Sequence, residues 1–135
     1  MPIYGISSQT PAVWHAGAFF ASIFVAFGIN AILRPRAGFE QFKFKYPTKA
    51  EDRKLIDNLM IIYGIRDVAI GVSMLAAWYF GAREVLAYSL ISGSVVAFVD
   101  GIANRAVLGY GQGQHWSYAP MLTIVGAILL GAIDS

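Results

Sequence analysis

Three charged side chains interrupt otherwise apolar stretches of the sequence, and they are the first candidates for chemistry. Arg66 and Asp67 lie side by side in "IIYGIRDVAIGV", and Asp100 lies in "AFVDGIANR". A carboxylic acid removed from water favours its neutral form, because desolvation penalises the charge. A neutral acid can donate a proton to an alkene, an epoxide or a carbonyl group. These residues therefore predict general acid chemistry in an apolar environment.

The elements that must position these residues are long apolar runs. Apolar residues make up 57% of the 135-residue chain and charged residues 13%, against roughly 45–50% and 25% in soluble domains. The runs predict helices at about 11–33, 55–80, 84–105 and 117–133, and the fourth is short for a span of about 20 residues. We therefore expect one domain, residues 1–135, that is all-α and forms a bundle of four transmembrane helices.

The basic residues predict the orientation of this bundle. Loops 34–56 and 105–117 together carry eight Lys or Arg residues, whereas the remaining connection carries only Arg83 and the termini carry none. Because cytoplasmic loops are enriched in Lys and Arg, both loops are expected in the cytoplasm and both termini on the opposite side.

Depth along the helices predicts how the charges pair. Arg66 lies roughly 10 Å and Asp100 roughly 7 Å inside the cytoplasmic boundary, at a rise of about 1.5 Å per residue. A charge at the centre of a membrane helix costs roughly 2.5–3.5 kcal/mol, so each should find a partner inside the bundle. Sequence neighbours on a helix point about 100° apart. We therefore expect Arg66 to pair with Asp100, and Asp67 to remain the unpaired carboxylate.

Small and polar residues at spacings of three and four predict which face of each helix is buried, since such residues let helices approach closely in lipid. On the first three helices the predicted faces are Ser22, Ala26 and Asn30; Tyr63, Gly64, Asp67, Gly71 and Met74; and Ser89, Gly93, Ala97, Asp100 and Asn104.

The loops suggest membrane contact more than ligand chemistry. Aromatic and basic residues alternate in "FEQFKFKYP", which favours a segment on anionic headgroups over nucleic-acid binding. Thr48 and Glu51 form a capping-box pattern that predicts a helix start near Lys49. The glycines of "LGYGQGQHW" lack the ending of a phosphate loop, and His115 has no partner at metal-ligand spacing. We therefore expect no cofactor and no metal, and the chain has no cysteine.

Four segments carry a resemblance that covers nearly the whole chain: "RPRAGFEQF", "YGIRDVAIG", "AFVDGIANR" and "GQHWSYAPML". In this order and spacing they resemble a family of small four-helix membrane proteins of fungi and bacteria that is known only as a domain of unknown function. Some fungal relatives lie among natural-product biosynthesis genes. The resemblance thus implies the fold and hints at lipophilic substrates in secondary metabolism, but it brings no activity.

The leading hypothesis is a cofactor-independent isomerase or cyclase that acts on a lipophilic small molecule by acid catalysis in the cytoplasmic leaflet. Two alternatives remain: a structural or interaction protein whose polar network sets helix register, and a proton or small-anion transporter formed by a homo-oligomer. The candidate catalytic residues are Asp67, Asp100, Arg66, His115 and Tyr63. The candidate substrate-binding residues are Asn30, Glu40, Asn104, Trp116 and Tyr118.

Overall fold

A computed structural model describes residues 4–134, and this part of the chain is helical. The helices are α1 (Pro11–Leu33), α2 (Pro35–Gln41), α3 (Ala50–Tyr79), α4 (Arg83–Leu108), α5 (Gly113–Trp116) and α6 (Ala119–Leu129). Helices α1, α3 and α4 are each long and apolar enough to cross a membrane. The prediction of an apolar, helical membrane protein is therefore confirmed at this level.

The helix boundaries agree with the sequence in part. Helix α1 has the predicted bounds. Helix α3 begins at Ala50, before the apolar run at 55–80, because the polar residues that precede this run are also helical. The predicted capping box is wrong: Lys49 is the N-cap, and no side chain caps the helix. Acidic Glu51 and Asp52 in the first turn favour the helix electrostatically instead.

Helices α1 and α3 pack backbone against backbone. A methyl group on Gly28 would lie 2.5 Å from the carbonyl oxygen of Gly64, and one on Gly64 would lie 2.6 Å from that of Gly28. A methyl group on Gly71 would likewise lie 2.6 Å from the carbonyl oxygen of Ala21. Small residues thus allow this close approach, as expected for helices in lipid.

The face predicted for α1 is wrong. Ser22 and Ala26 are exposed, and Asn30 is only half-buried. The buried residues of α1 are Val13, Gly17, Ala21, Phe24, Gly28 and Ala31. Ser22 can face outwards because its hydroxyl donates to the carbonyl oxygen of Ala18, at 2.9 Å, and so satisfies itself within the helix.

The expected fourth helix at 117–133 is shorter than predicted and is preceded by a separate turn of helix, α5. Helix α6 is roughly 16 Å long at 1.5 Å per residue, and the chain breaks before it because Pro120 has no N–H to continue the helix. The segment still runs antiparallel to α4. Ser94 donates to the carbonyl oxygen of Ala119 at 2.8 Å, and Gly126 packs on the carbonyl oxygen of Ala87.

A polar clasp joins both ends of the described chain at one end of the bundle. The carboxylate of Asp134 accepts from the backbone N–H of Ser8 at 2.7 Å and from its hydroxyl at 2.5 Å. Arg83, at the turn between α3 and α4, donates to the carbonyl oxygen of Ser8, and its guanidinium lies 5.0 Å from the ring centre of Trp14. The clasp therefore fixes the N-terminal segment, the C-terminal segment and this turn together.

Candidate functional site

The three predicted charges form one cluster between α3 and α4. The predicted pair is present: Arg66 Nη2 lies 2.9 Å from Asp100 Oδ2. The prediction that Asp67 is unpaired is wrong, because Arg66 Nε donates to Asp67 Oδ1 at 3.1 Å. The arginine side chain is long enough to reach back to its neighbour, although the two Cα–Cβ bonds diverge. Asp67 is 5% exposed, so one guanidinium serves two carboxylates.

A cavity of about 310 Å³ lies beside this cluster. Its lining residues are Phe27, Gln41, Phe42, Tyr63, Gln114, His115 and Tyr118. Tyr63 is the link between the two features, since the guanidinium carbon of Arg66 lies 4.7 Å from the centre of its ring. The charged groups thus lie behind the ring of Tyr63 and do not line the cavity themselves. A larger groove of about 610 Å³ between α3 and α4 contains none of the predicted site residues.

His115 is the most unusual group in the cavity wall. It is 7% exposed, and neither of its ring nitrogens has a hydrogen-bond partner among the described residues. Buried polar atoms nearly always have a partner, so such an orphan needs an explanation. Burial lowers the pKa of the His115 imidazole. The neutral ring therefore presents one donor and one acceptor that the protein itself does not use.

The connection between α1 and α3 forms the roof of the cavity. The ring of Phe42 stacks on His115, with ring centres 5.0 Å apart, and makes a T-shaped contact with the Tyr63 ring, with ring centres 5.1 Å apart. The amide of Asn104 donates to the carbonyl oxygen of Phe42 at 2.7 Å. Asn104 is 1% exposed, so this bond anchors the roof to α4 from inside the bundle.

Residues 21–129 match the family described as Domain of unknown function (DUF4267). The chain belongs to this family. No curated protein and no solved structure matches the chain. All cavity-lining residues and the charged cluster lie within the part of this DUF4267 protein that matches the family, whereas Ser8 and Asp134 of the clasp lie outside it.

Among the predicted catalytic residues, the structure brings all five to one region of the DUF4267 fold. Tyr63 and His115 line the cavity. Arg66, Asp67 and Asp100 form the cluster behind Tyr63. Their proximity follows from the antiparallel packing of α3 on α4 and from the position of α5.

The predicted binding residues are more dispersed. Of the five, only Tyr118 lines the cavity, and Asn104 holds its roof. Glu40 is exposed and forms an ion pair with Arg36 at 3.0 Å. Asn30 is half-buried near the end of α1 and is not part of the cavity lining.

Trp116 lies away from the cavity, although it follows His115 directly. Its ring stacks on Phe98 with ring centres 5.3 Å apart, and its indole N–H donates to the carbonyl oxygen of Phe98 at 3.1 Å. The side chain occupies the space beside Gly101, where no Cβ is present. Consecutive residues in a helical turn point about 100° apart. His115 of α5 therefore points into the cavity, whereas Trp116 binds α5 to Phe98 of α4.

Four cavity residues escaped the sequence reasoning: Phe27, Gln41, Phe42 and Gln114. Phe27 lies in an apolar helix. The glutamines lie in the short helices α2 and α5, which fall within segments that the sequence predicts as loops. The only signal was the density of aromatic residues around Phe42, which was interpreted as membrane-surface contact. In the structure these rings also pack on one another, with Phe39 and Phe44 stacked at 5.1 Å.

Proposed function

We propose that this protein is a cofactor-independent isomerase or cyclase that acts on a lipophilic molecule by acid–base catalysis. The observation that carries the proposal is the buried imidazole of His115, whose nitrogens have no hydrogen-bond partner in the part of the chain that the structure describes and which lines a cavity beside an ion cluster. An apolar pocket with a few convergent polar groups is the usual form of a small-molecule site. The resemblance to relatives near natural-product biosynthesis genes favours a lipophilic substrate.

The charge of the cluster provides a source of protons. Two carboxylates and one guanidinium have a formal charge of −1, so a single added proton makes the cluster neutral. A neutral cluster is the less costly state within the apolar part of a membrane. In the proposed reaction the Asp67 side of the cluster supplies this proton to the substrate by way of the Tyr63 hydroxyl.

The second half of the reaction belongs to His115. Its neutral imidazole accepts a proton from another atom of the same substrate, which completes a double-bond shift or a ring closure. The proton then returns to the cluster within the cavity, so protons are conserved and no external reactant is needed. In this scheme Tyr63 and His115 contact the substrate. The ion cluster of Arg66, Asp67 and Asp100 positions Tyr63 and supplies the proton that its hydroxyl passes on.

The proposed site lies in the cytoplasmic leaflet of a four-pass protein. Support comes from the eight basic residues of loops 34–56 and 105–117, which flank the cavity end of the bundle. The segment 117–133, which contains α6, would be the fourth pass. An interrupted helix is tolerated in a membrane where it is buried in protein or lines a cavity, and the interruption here is next to Tyr118.

A structural role for the cluster is the second candidate, and the paired state of Asp67 favours it. Arg66 joins α3 to α4 through Asp100 and satisfies Asp67 at the same time. Networks of this kind can set helix register without any substrate. Transport of protons or anions by a homo-oligomer is the third candidate, and flux through liposomes that contain the purified protein tests it.

The deciding experiment compares variants for folding and for product. We would express the wild type, Asp67→Asn and His115→Gln in a producing strain and identify lipid-soluble metabolites by mass spectrometry. Asp52→Asn is the matched control, because it makes the same change at an exposed residue in the first turn of α3. We expect folded Asp67→Asn and His115→Gln proteins with at least about a hundredfold less product, the usual contribution of a general acid or base.

Two outcomes would contradict the enzyme proposal. If Asp67→Asn and Asp100→Asn both unfold in detergent or change the oligomeric state, while His115→Gln leaves the product unchanged, the cluster is structural. If all variants fold and the product is unchanged, the cavity has no catalytic role.

A further inference from the structure

We infer that the cavity binds an uncharged amphiphile that enters from the bilayer, with an oxygen-bearing head at His115 and its apolar tail leaving past Phe27. This inference rests on the proposed function for the location of the site, and it adds the chemical class of the ligand and its route. A long-chain alcohol or ketone has the required chemistry.

The wall of the cavity offers no Asp, Glu, Lys or Arg as a partner for a charged head. Each side of the Arg66 guanidinium is already in use: Nε donates to Asp67, and Nη1 and Nη2 donate to Asp100. No Lys or Arg is among the residues that line the cavity, so a carboxylate or phosphate head would find no such cation in its wall. Neither carboxylate lines the cavity, so an ammonium head would find no free anion. A charged group that leaves water without a partner pays a large desolvation cost.

The polar groups of the wall suit a neutral oxygen. His115 offers an unused donor and an unused acceptor. Tyr63 and Tyr118 add hydroxyl groups, and Gln41 and Gln114 add amides at the edge of the cavity, where both residues are exposed. A hydroxyl group can donate to one of these partners and accept from another, whereas a hydrocarbon would leave the buried imidazole unsatisfied.

Phe27 marks the side on which the cavity meets the lipid. It lines the cavity and is also 41% exposed on the apolar surface of α1. The volume of about 310 Å³ is at the small end of ligand pockets, which range over roughly 300–1,000 Å³. A long-chain ligand therefore fits only in part. Its head and first carbons occupy the cavity, and the remaining chain lies among the lipid tails beside Phe27.

Photolabelling in phosphatidylcholine nanodiscs tests this inference. The probe is a long-chain fatty alcohol with a diazirine near the hydroxyl group, and the matched probes are the fatty acid and the trimethylammonium compound of equal chain length. We expect the alcohol to label residues 27, 41–42 and 114–118, and unlabelled alcohol to compete. The two charged probes should label these positions at least about tenfold less, which corresponds to the loss of one buried polar pairing.

Three variants separate the head from the tail. His115→Phe keeps the ring that stacks on Phe42 but removes both nitrogens, so labelling by the alcohol should fall about tenfold or more. Phe27→Trp should narrow the route and slow labelling. Phe19→Trp is the control, since Phe19 is 63% exposed on the same helix and does not line the cavity.

The outcomes distinguish this inference from the proposed function. The inference is overturned if the three head groups label the cavity equally, or if Phe19→Trp reduces labelling as much as Phe27→Trp does. Neither outcome depends on a variant of His115. Selective labelling by the alcohol with no turnover supports the inference and contradicts the enzyme. If a metabolite is turned over but labelling does not depend on the head group, the inference is contradicted and the enzyme proposal is supported.

Discussion

The contact between Gly28 and Gly64 makes a sharp prediction about stability. A methyl group on Gly64 would lie 2.6 Å from the carbonyl oxygen of Gly28, roughly 1 Å closer than favourable van der Waals separation. The obstacle is backbone, so no side-chain rotation relieves it, and α1 must move away from α3. Overpacking of this kind costs about 1–3 kcal/mol, and we expect Gly64→Ala to lie in the upper half of that range.

The assay is reversible unfolding in mixed micelles, followed by circular dichroism as the fraction of denaturing detergent rises. Gly113→Ala is the control, because a methyl group there meets nothing within 4 Å. Its free energy of unfolding should remain within about 0.5 kcal/mol of the wild type, as for other exposed substitutions. Helix propensity alone favours Ala over Gly by about 1 kcal/mol, so a destabilised Gly64→Ala protein has the opposite sign.

A double variant gives the strictest form of the test. Once Gly64→Ala has separated the helices, adding Gly28→Ala should cost less than it does alone, because both methyl groups need the same space. Residues in contact typically show coupling free energies of about 0.5–3 kcal/mol. Additive costs, or a Gly64→Ala protein as stable as the wild type, would refute the backbone contact between α1 and α3.

Two further predictions concern the ends of the bundle. Gly101→Ala should displace the Trp116 indole, which occupies the space beside Gly101, and we expect a shifted tryptophan emission maximum and weaker ligand binding in a protein that still folds. At the clasp, the two hydrogen bonds from Ser8 hold the pKa of Asp134 below its ordinary value of 3.8. The folded-state pKa is therefore below the unfolded one, so the stabilisation is complete above pH 3.8 and is lost as the pH falls through the folded-state value. Thermal unfolding between pH 2.5 and 5 should show this loss in the wild type and not in Asp134→Asn; identical pH profiles would contradict the clasp.

The pairing of Arg66 with Asp100 was predictable because it depends on depth, and depth follows from counting residues in apolar runs. The second partner of Arg66 was not predictable in this way. Helix geometry places neighbouring Cβ atoms on different faces, but it does not limit the reach of a long, flexible guanidinium. The prediction that Asp67 is unpaired considered only the direction of the Arg66 Cα–Cβ bond and not the length of the Arg66 side chain.

The buried face of α1 shows a different limit. The helix is apolar all round, so hydropathy does not distinguish one face from another. The predicted face rested on Ser22 and Asn30, and the serine satisfies its hydroxyl within its own helix. Backbone approach through Gly28 decides the face instead, and that contact depends on the position of a glycine on a partner helix. The cavity was hidden for a similar reason, since its roof and His115 come from connections whose course is set by tertiary contacts.

The bond from Asn104 to the carbonyl oxygen of Phe42 has a consequence for engineering. The roof is fastened through a backbone atom, which every amino acid possesses, and not through the Phe42 ring. The ring can therefore be exchanged for a smaller or larger side chain while the fastening persists. A series of side chains at position 42 should therefore change the volume of the cavity while its roof stays bound to α4.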